Sequence, residues 1–250
     1  MASQAVLKEE TLDLQIPIIN LLTDKFIELH GDRTQGDDKS IFGGLAWIEG
    51  KKLILISHCA LTEHNSERIE KQTGFRKITR LLNIAKQLKR PVLIMESETQ
   101  CTAQPEGILK FNLIDAIIQN VRIMSYLPVP IIGVISGNPT LIDSIALALA
   151  DCIIAPHSFE VLIREILNVE PKTEDGFISV NHVVPPLKNL DGASNPVQVI
   201  DFKPHRRRGF LIIPALRQAL PSKIDELMFI PANDLISRRI DRIQRLSYLS

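Results

Sequence analysis

Cysteine, aromatic side chains and net charge are all scarce in this 250-residue sequence. Each scarcity removes a class of protein. The three cysteines, Cys59, Cys101 and Cys152, are far apart. With no C-x-x-C pair and no zinc-ligand spacing, a disulfide scaffold and a zinc finger are excluded, and a reduced, cytoplasmic setting is expected. Lys+Arg and Asp+Glu both number 29, and aromatics make up 5%. That balance demands neither nucleic acid nor a membrane surface. The opening "MASQAVLKEE" has no apolar stretch of the signal-peptide kind. The longest uncharged run, Ile123 to Ile142, is interrupted by Pro128, Pro130, Gly133, Gly137, Asn138 and Pro139. It reads as strand, turn and helix rather than a membrane span. There is no P-loop, no G-x-G-x-x-G and no G-x-S-x-G elbow.

What is present is a large apolar share, 45%, enough for a substantial core. Ile18, Leu21, Leu22, Phe26 and Leu29 recur at helical spacing behind Pro17 and predict a first helix over 17–29, with Gly31 as its C-cap. "IFGGLAWIEG" and "KKLILISHCA" predict a β-hairpin around Gly50 and Lys51. Phe75, Ile78, Leu82, Ala85 and Leu88 predict a helix from Gly74 to Leu88, and "RPVLIME" a buried strand. The pattern repeats as helix 107–126, strand 130–135, a helix from 139 and strand 152–155, so an α/β fold with parallel crossovers is expected. The proline-rich region 167–205 holds two strand-like pieces, "GFISVNHVV" and "VQVIDF". A short helix is expected over Pro214–Leu220, and a longer one over 234–246 behind the cap Asn233, with Ile236, Ile240 and Ile243 on its apolar face.

The turn "SGNPTLID" (136–143) is the main candidate site. Asn138 and Pro139 make a good helix start, which is one complete reading of these residues. Free N–H groups at such a start can also hold an oxygen that gains negative charge. Pro139 has no N–H to offer, and Asp143 adds negative charge. Ser136 and Ser144, with His58, His64 or His157, form no recognisable nucleophile arrangement. No metal site is expected: His157 and His182 lack paired spacing, and His58 and Cys59 are adjacent on one strand. Glu96 and Glu98 lie at a strand end, where a base can sit. "HRRRG" (205–209) is the densest basic run, a solvated loop or a contact for an anion.

Several of these stretches together resemble the α subunit of bacterial acetyl-CoA carboxylase carboxyltransferase. They are "FIELHGDRTQGDDKSIFGGLAWIEGKKLILISH" (26–58), "GFRKITRLLNIAKQLKRPVLI" (74–94), "IDAIIQNVRIMSYLPVPIIGVISG" (114–137) and "IDELMFIPANDLISRRIDRIQRL" (224–246). The resemblance covers most of the chain, apart from about 167–205. It implies a crotonase-like (ClpP/crotonase) α/β fold of stacked ββα units in one domain spanning 1–250. The N-terminal helix and cap then lie at 17–33, the ββα core at 40–166, a divergent region at 167–205 and C-terminal helices at 206–250. It also implies transfer of a carboxyl group from carboxybiotin on a carrier protein to acetyl-CoA, giving malonyl-CoA for fatty-acid synthesis. No cofactor would be bound directly. The implied partners are a zinc-ribbon β subunit, in an α2β2-type assembly, and the biotin carrier protein.

The departures fall on the segments that touch the reaction. The family's G-E-G-G-S-G-G turn is replaced by Gly137 to Asp143, where only Gly137 survives of the glycines. Asn138 follows it, and Pro139, Thr140, Ile142 and Asp143 occupy the glycine pairs. The family's D-T-P-G-A-Y-P-G loop is replaced by "ESETQCTAQPEG" (96–107). The resemblance therefore implies a carboxyltransferase subunit with impaired catalysis. The alternatives are a non-catalytic structural or regulatory subunit (a pseudoenzyme), and another crotonase-fold enzyme acting on CoA thioesters.

Overall fold

The computed structural model describes residues 18–31, 36–38, 41–58, 68–96, 108–135, 149–154, 172–174, 177–179 and 208–247. A six-stranded sheet runs through the middle in the order β1-β2-β3-β4-β5-β6. Its strands are β1 (Lys25–Glu28), β2 (Ile41–Ile48), β3 (Lys51–His58), β4 (Val92–Glu96), β5 (Ile131–Ile135) and β6 (Cys152–Ile154). β1, β2 and β3 pair antiparallel, and β3 to β6 pair parallel. Helices α2 (Arg68–Leu88) and α3 (Ile108–Ser125) make the crossovers β3-α2-β4 and β4-α3-β5. Alternation along the strands sends Ile54, Ile56, Val92, Ile94 and Ile131 into a core with Leu81, Leu82 and Ala85 of α2 and Met124 of α3. The intervening Leu53, Leu55, Leu93, Met95, Ile132 and Val134 enter a second core on the other face. That face is covered by α1 (18–22) and by α4 (Arg208–Met228). α5 (Ala232–Ser247) follows and places Ile243 against the α2–α3 core. A separate hairpin joins β7 (Lys172–Glu174) to β8 (Phe177–Ser179). Among the described residues, no helix is long and apolar enough to cross a membrane.

The expected helix over 17–29 is instead a short helix followed by a strand. α1 ends where Thr23 bonds back to the Ile19 carbonyl through both its N–H (2.9 Å) and its hydroxyl (2.7 Å). Asp24 then donates its N–H to the Trp47 carbonyl at 2.7 Å, and the chain enters the sheet. Phe26 packs into one core and Leu29 into the other. Their odd spacing suits opposite faces of an extended chain as well as one face of a helix, and strand pairing decides between the two. Gly31 does need positive φ (47°), but in the turn after β1, not as a helix C-cap.

The hairpin is present, but its turn is Glu49–Gly50, with φ of 47° and 77°. Two positive-φ residues make the type I′ turn that suits strand twist, and Lys51 already pairs with Ile48. α2 begins at Arg68, six residues before the expected start, and ends in a Schellman-type cap. There Lys89 has φ 51° and the Arg90 N–H reaches the Ala85 carbonyl at 3.0 Å.

α4 overturns the expected short helix from Pro214, because it runs through both Pro214 and Pro221. Ile213, Leu216, Leu220, Ile224 and Leu227 form its buried stripe. Five such side chains at roughly 1.5–3 kcal/mol each outweigh two prolines at roughly 3 kcal/mol each. The N–H groups of Asp234 and Leu235 bond to the Pro231 carbonyl, so α5 starts at Ala232 and Asn233 lies inside its first turn rather than at the cap. β8 falls within the expected strand "GFISVNHVV". β7, with the sequence "KTE", carries no apolar signal and was not expected. "VQVIDF" and the helix from 139 lie outside the described residues.

Among the described residues the most buried cation is Arg239, on the α5 face expected to be apolar, with no exposed side-chain surface. Its five N–H donors meet five acceptors. Nε bonds Asp151 Oδ1 at 2.8 Å. One terminal nitrogen bonds the carbonyls of Met124 (3.0 Å) and Leu127 (2.5 Å). The other bonds the Val129 carbonyl (2.8 Å) and Asp151 Oδ2. Asp151 Oδ2 also accepts the Ile131 N–H at 2.7 Å. One side chain thus ties α5 to the end of α3, the entry of β5 and the entry of β6.

Arg239→Met is expected to destabilise the fold by about 3–5 kcal/mol, since it leaves Asp151 buried and unpaired. Asp151→Asn combined with Arg239→Met should recover part of that loss, as read by urea unfolding. Gly44 makes a second test. A Cβ there would lie 2.0 Å from the Ile27 carbonyl oxygen and 2.9 Å from Glu28 Cα, both backbone atoms. At Gly43 the nearest atom, at 2.3 Å, is the movable end of Leu81. Gly44→Ala should fall at the upper end of roughly 1–3 kcal/mol, and Gly43→Ala at the lower end.

Candidate functional site at the carboxyl edge of the sheet

Parallel strands deliver their carboxyl ends to one edge, and the helices that follow begin there. In α/β sheets that edge is where ligands bind. Here β3, β4 and β5 end side by side, with His58 in register with Glu96 and Glu96 in register with Ile135. Across the hairpin, Ile41 of β2 is the partner of His58. The last row of the sheet is therefore Ile41, His58, Glu96 and Ile135. Earlier rows on this face are Ile54–Val92–Ile131 and Ile56–Ile94–Gly133, all without polar side chains. α2 and α3 start at Arg68 and Ile108, and their N-terminal ends add a favourable field for negative charge at this edge.

The six turn residues Gly137, Asn138, Pro139, Thr140, Ile142 and Asp143 lie outside the described residues. So do Ser136, Ser144, His64, His157, His182, Cys59 and Glu98. The structure does place the strand that leads into the turn: β5 ends at Ile135 in the same row as His58 and Glu96. The sequence marked His58 and Glu96 separately, but their partnership is a matter of register between strands 38 positions apart. Of the basic run 205–209, Arg208 and Gly209 open α4 and so belong to a helix rather than a loop. Positions 205–207 lie outside the described residues.

The motifs that carry the resemblance build the flank of this edge. Lys77, from "GFRK", has no exposed side-chain surface. Its ammonium donates to the Ile41 carbonyl at 2.7 Å, Asp37 Oδ1 at 3.0 Å and Glu28 Oε1 at 3.2 Å, which uses all three of its protons. His30, from "HGDR", bonds Asp37 Oδ2 at 2.8 Å, and the Gly31 N–H bonds Asp37 Oδ1 at 2.7 Å. Arg80 reaches the carbonyls of Leu29 (3.0 Å) and His30 (2.9 Å). A Cβ on Gly74 would lie 2.3 Å from Asp38 Oδ2 and 2.8 Å from Ile41 Cγ1, so "GFRK" needs its glycine for close approach. Glu28, His30 and Asp37 bring ligand-type atoms within 4.8 Å of one another. Lys77 already supplies the cation among them, so the cluster works as a clasp between β1, β2 and α2. Lys77 lies off the apolar stripe of α2 that periodicity marks, and only the packing shows it buried.

A family model described as "Acetyl co-enzyme A carboxylase carboxyltransferase-like" matches residues 9–162, more than half of the chain. The chain belongs to that family. It is 26% identical over 246 residues to the acetyl-coenzyme A carboxylase carboxyl transferase subunit alpha of Klebsiella pneumoniae, covering 92% of this chain and 75% of that one. The corresponding subunit of Clostridium perfringens is 36% identical over 139 residues, 53% of this chain and 51% of that one. Among solved structures, a Pseudomonas malonate decarboxylase hetero-dimer aligns with a TM-score of 0.50 at 16% identity, covering 92% of both chains. This chain spans 30% of the length of the P. aeruginosa geranyl-CoA carboxylase beta subunit, with a TM-score of 0.41 and 20% identity over 56% of this chain. The fold is crotonase-like, as the resemblance implied. The two bacterial relatives are each named as the alpha subunit of an acetyl-coenzyme A carboxylase carboxyl transferase.

The clasp has a pH signature. Partial burial pushes the Asp37 carboxyl up, but the Gly31 N–H, the His30 ring and the Lys77 ammonium pull it down further, leaving it below the ordinary value of 3.8. A depressed folded-state pKa gives stability that is fully present above the unfolded pKa and is lost as pH falls through the folded one. Asp37→Asn should therefore lower stability at pH 7, and the gap to wild type should close below about pH 4. Urea unfolding at pH 7, 5, 4 and 3 reads this; a gap that stays constant down to pH 3 would count against it.

Proposed function

We propose that this chain is the α-type subunit of a biotin-dependent carboxyltransferase that moves a carboxyl group from carboxybiotin to acetyl-CoA, and does so slowly. The match over residues 9–162 carries the first half of that reading. The replaced turn at 137–143 carries the second. In this reading the β subunit completes the site, and the biotin carrier protein delivers the donor. The substrates meet at the carboxyl edge, where the row Ile41–His58–Glu96–Ile135 and the N-terminal ends of α2 and α3 converge.

The slowness follows from what the turn has to do. As biotin gives up its carboxyl group, its oxygen gains charge and needs N–H donors placed beforehand. Removing one such donor typically costs about 10²–10³ in turnover. Pro139 has no N–H, and the side chains of Thr140, Ile142 and Asp143 stand where the family has glycine. Asp143 adds a negative charge that opposes a negative intermediate. The scaffold motifs meanwhile keep their packing roles around Lys77 and Gly74. The same replaced turn also favours a second reading, in which the chain is a non-catalytic subunit that binds the β subunit and contributes structure or regulation.

The test is to co-express the chain with a carboxyltransferase β subunit from its own genome and follow malonyl-CoA formation from carboxybiotin and acetyl-CoA. Wild type should turn over well below the roughly 1–1,000 per second typical of enzymes. Pro139→Gly, Thr140→Gly, Ile142→Gly and Asp143→Gly together should raise the rate by about 100-fold or more. A typical rate in the wild type would sink the slow reading. Co-purification with no product from either chain would establish the non-catalytic one.

A further inference from the structure

Helix α3 packs against α2 and α5 and buries Leu113, Ala116, Asn120 and Met124 on its inward side. Its outward side is apolar where a solvent-facing helix would be polar. Ile114 and Ile118, one turn apart, are 41% and 58% exposed. Half-buried Val121 continues the line, so the spacing is four and then three, that of a helix-pairing seam. The outward sides of the other long helices are largely polar: Asn83, Lys86 and Gln87 on α2, Gln218, Ser222 and Asp225 on α4, and Asn233, Asp234 and Ser237 on α5. A single exposed isoleucine is ordinary, but two neighbours in mid-helix form a patch. Beside this seam lie Asp115 and Arg122, each one position after a seam residue and therefore on the same flank. Both are exposed, and neither side chain has a hydrogen-bond or ion-pair partner among the described residues. Seven positions apart, they are separated by about 10 Å along the helix and cannot pair with each other.

We propose that α3 pairs antiparallel with α3 of a second copy of this chain, with Ile114, Ile118 and Val121 as the seam and Asp115 of each copy beside Arg122 of the other. A two-fold axis reverses one helix against its mate, and residue i then meets j wherever j meets i. The midpoint of positions 115 and 122 falls between Ile118 and Gln119. The axis that brings Ile118 next to its own mate therefore delivers both opposite-charge contacts at once. In an antiparallel pair like flanks face each other, so the single flank carrying one acid and one base is complementary to itself. A parallel pair would set Asp115 level with Asp115 and Arg122 level with Arg122, which repels. This self-complementarity identifies the occupant as a second copy, because an unrelated partner needs no such symmetry. The isoleucines supply the affinity by leaving water, and the charges select the orientation. The pairing rests on α3 alone and is independent of the function proposed above.

The experiment is sedimentation equilibrium on the full chain from about 1 to 200 μM, the range of a weak interface. Wild type should form a dimer within that range. Ile118→Glu should raise the dimer dissociation constant by about 100-fold or more. Asp115→Arg and Arg122→Asp each turn two attractions into two repulsions, and each should raise it by about 10-fold or more. The double swap, Asp115→Arg with Arg122→Asp, should return it to near the wild-type value. Mixing the two single variants should give a heterodimer, since one copy then carries both bases and the other both acids. That rescue also shows that each single variant is folded. A wild type that stays monomeric, a dimer unaffected by Ile118→Glu, or single reversals that neither the swap nor mixing restores would each overturn the proposal. A chain that keeps its dimer but loses a carboxyltransferase β subunit on Ile118→Glu would assign this face to the β subunit, and so would also overturn it.

Discussion

The guanidinium of Arg239 is the constraint on which the rest of the frame depends. Removing a cation from water is costly unless every donor finds a partner, and here every donor does. Asp151 neutralises the charge, while the carbonyls of Met124, Leu127 and Val129 take the remaining protons. Met124 and Leu127 lie at the carboxyl end of α3, where free carbonyls favour a cation. Asp151 also accepts the Ile131 N–H, and its own N–H meets the Ile131 carbonyl at 2.7 Å. The start of β5 and the start of β6 are thus held together by a residue 88 positions away.

That lock sits at the amino edge of the parallel strands, and the clasp around Lys77 sits beside the opposite edge. Between them the strands are largely apolar on both faces and held in register by two cores. A third set of ionic contacts fastens α4. Arg217 donates to the Leu22 carbonyl (3.0 Å), Asp24 (2.6 Å) and Glu49, and Lys51 pairs with Asp225 at 2.6 Å. The hydrogen bond from Arg217 is the main reason the Asp24 carboxyl lies below its ordinary value, and these groups are partly exposed to solvent, so they serve orientation more than stability. The fixed frame leaves the variable chemistry to the segments that follow β3, β4 and β5. The two segments where the resemblance implies a departure, 96–107 and 137–143, come at the end of β4 and after β5.

Much of the fold was legible because local pattern and tertiary demand agree. β4, β5, α3 and the β2–β3 hairpin lie where apolar periodicity puts them, since each buries the residues that make the pattern. Legibility failed where one pattern fits two periods or where packing overrides propensity. Phe26 and Leu29 suit a helix or a strand, and pairing with β2 chose the strand. Pro214 signals a helix start and Pro221 follows the expected helix end, and the buried stripe of α4 carried the helix through both. Nothing local marks Arg239 and Lys77 as buried hubs, because no local rule says that distant carbonyls will surround them.

By itself the sequence determined the α/β architecture and the family, since composition, periodicity and motif identity are properties of neighbouring residues. Only the tertiary structure decided that β1 is a strand, that Lys77 and Arg239 are buried hubs, and that His58 and Glu96 share a row with the strand end leading into the turn. The reason is that register and burial are relations between segments tens of residues apart. They are fixed by which faces pack and which donors find acceptors.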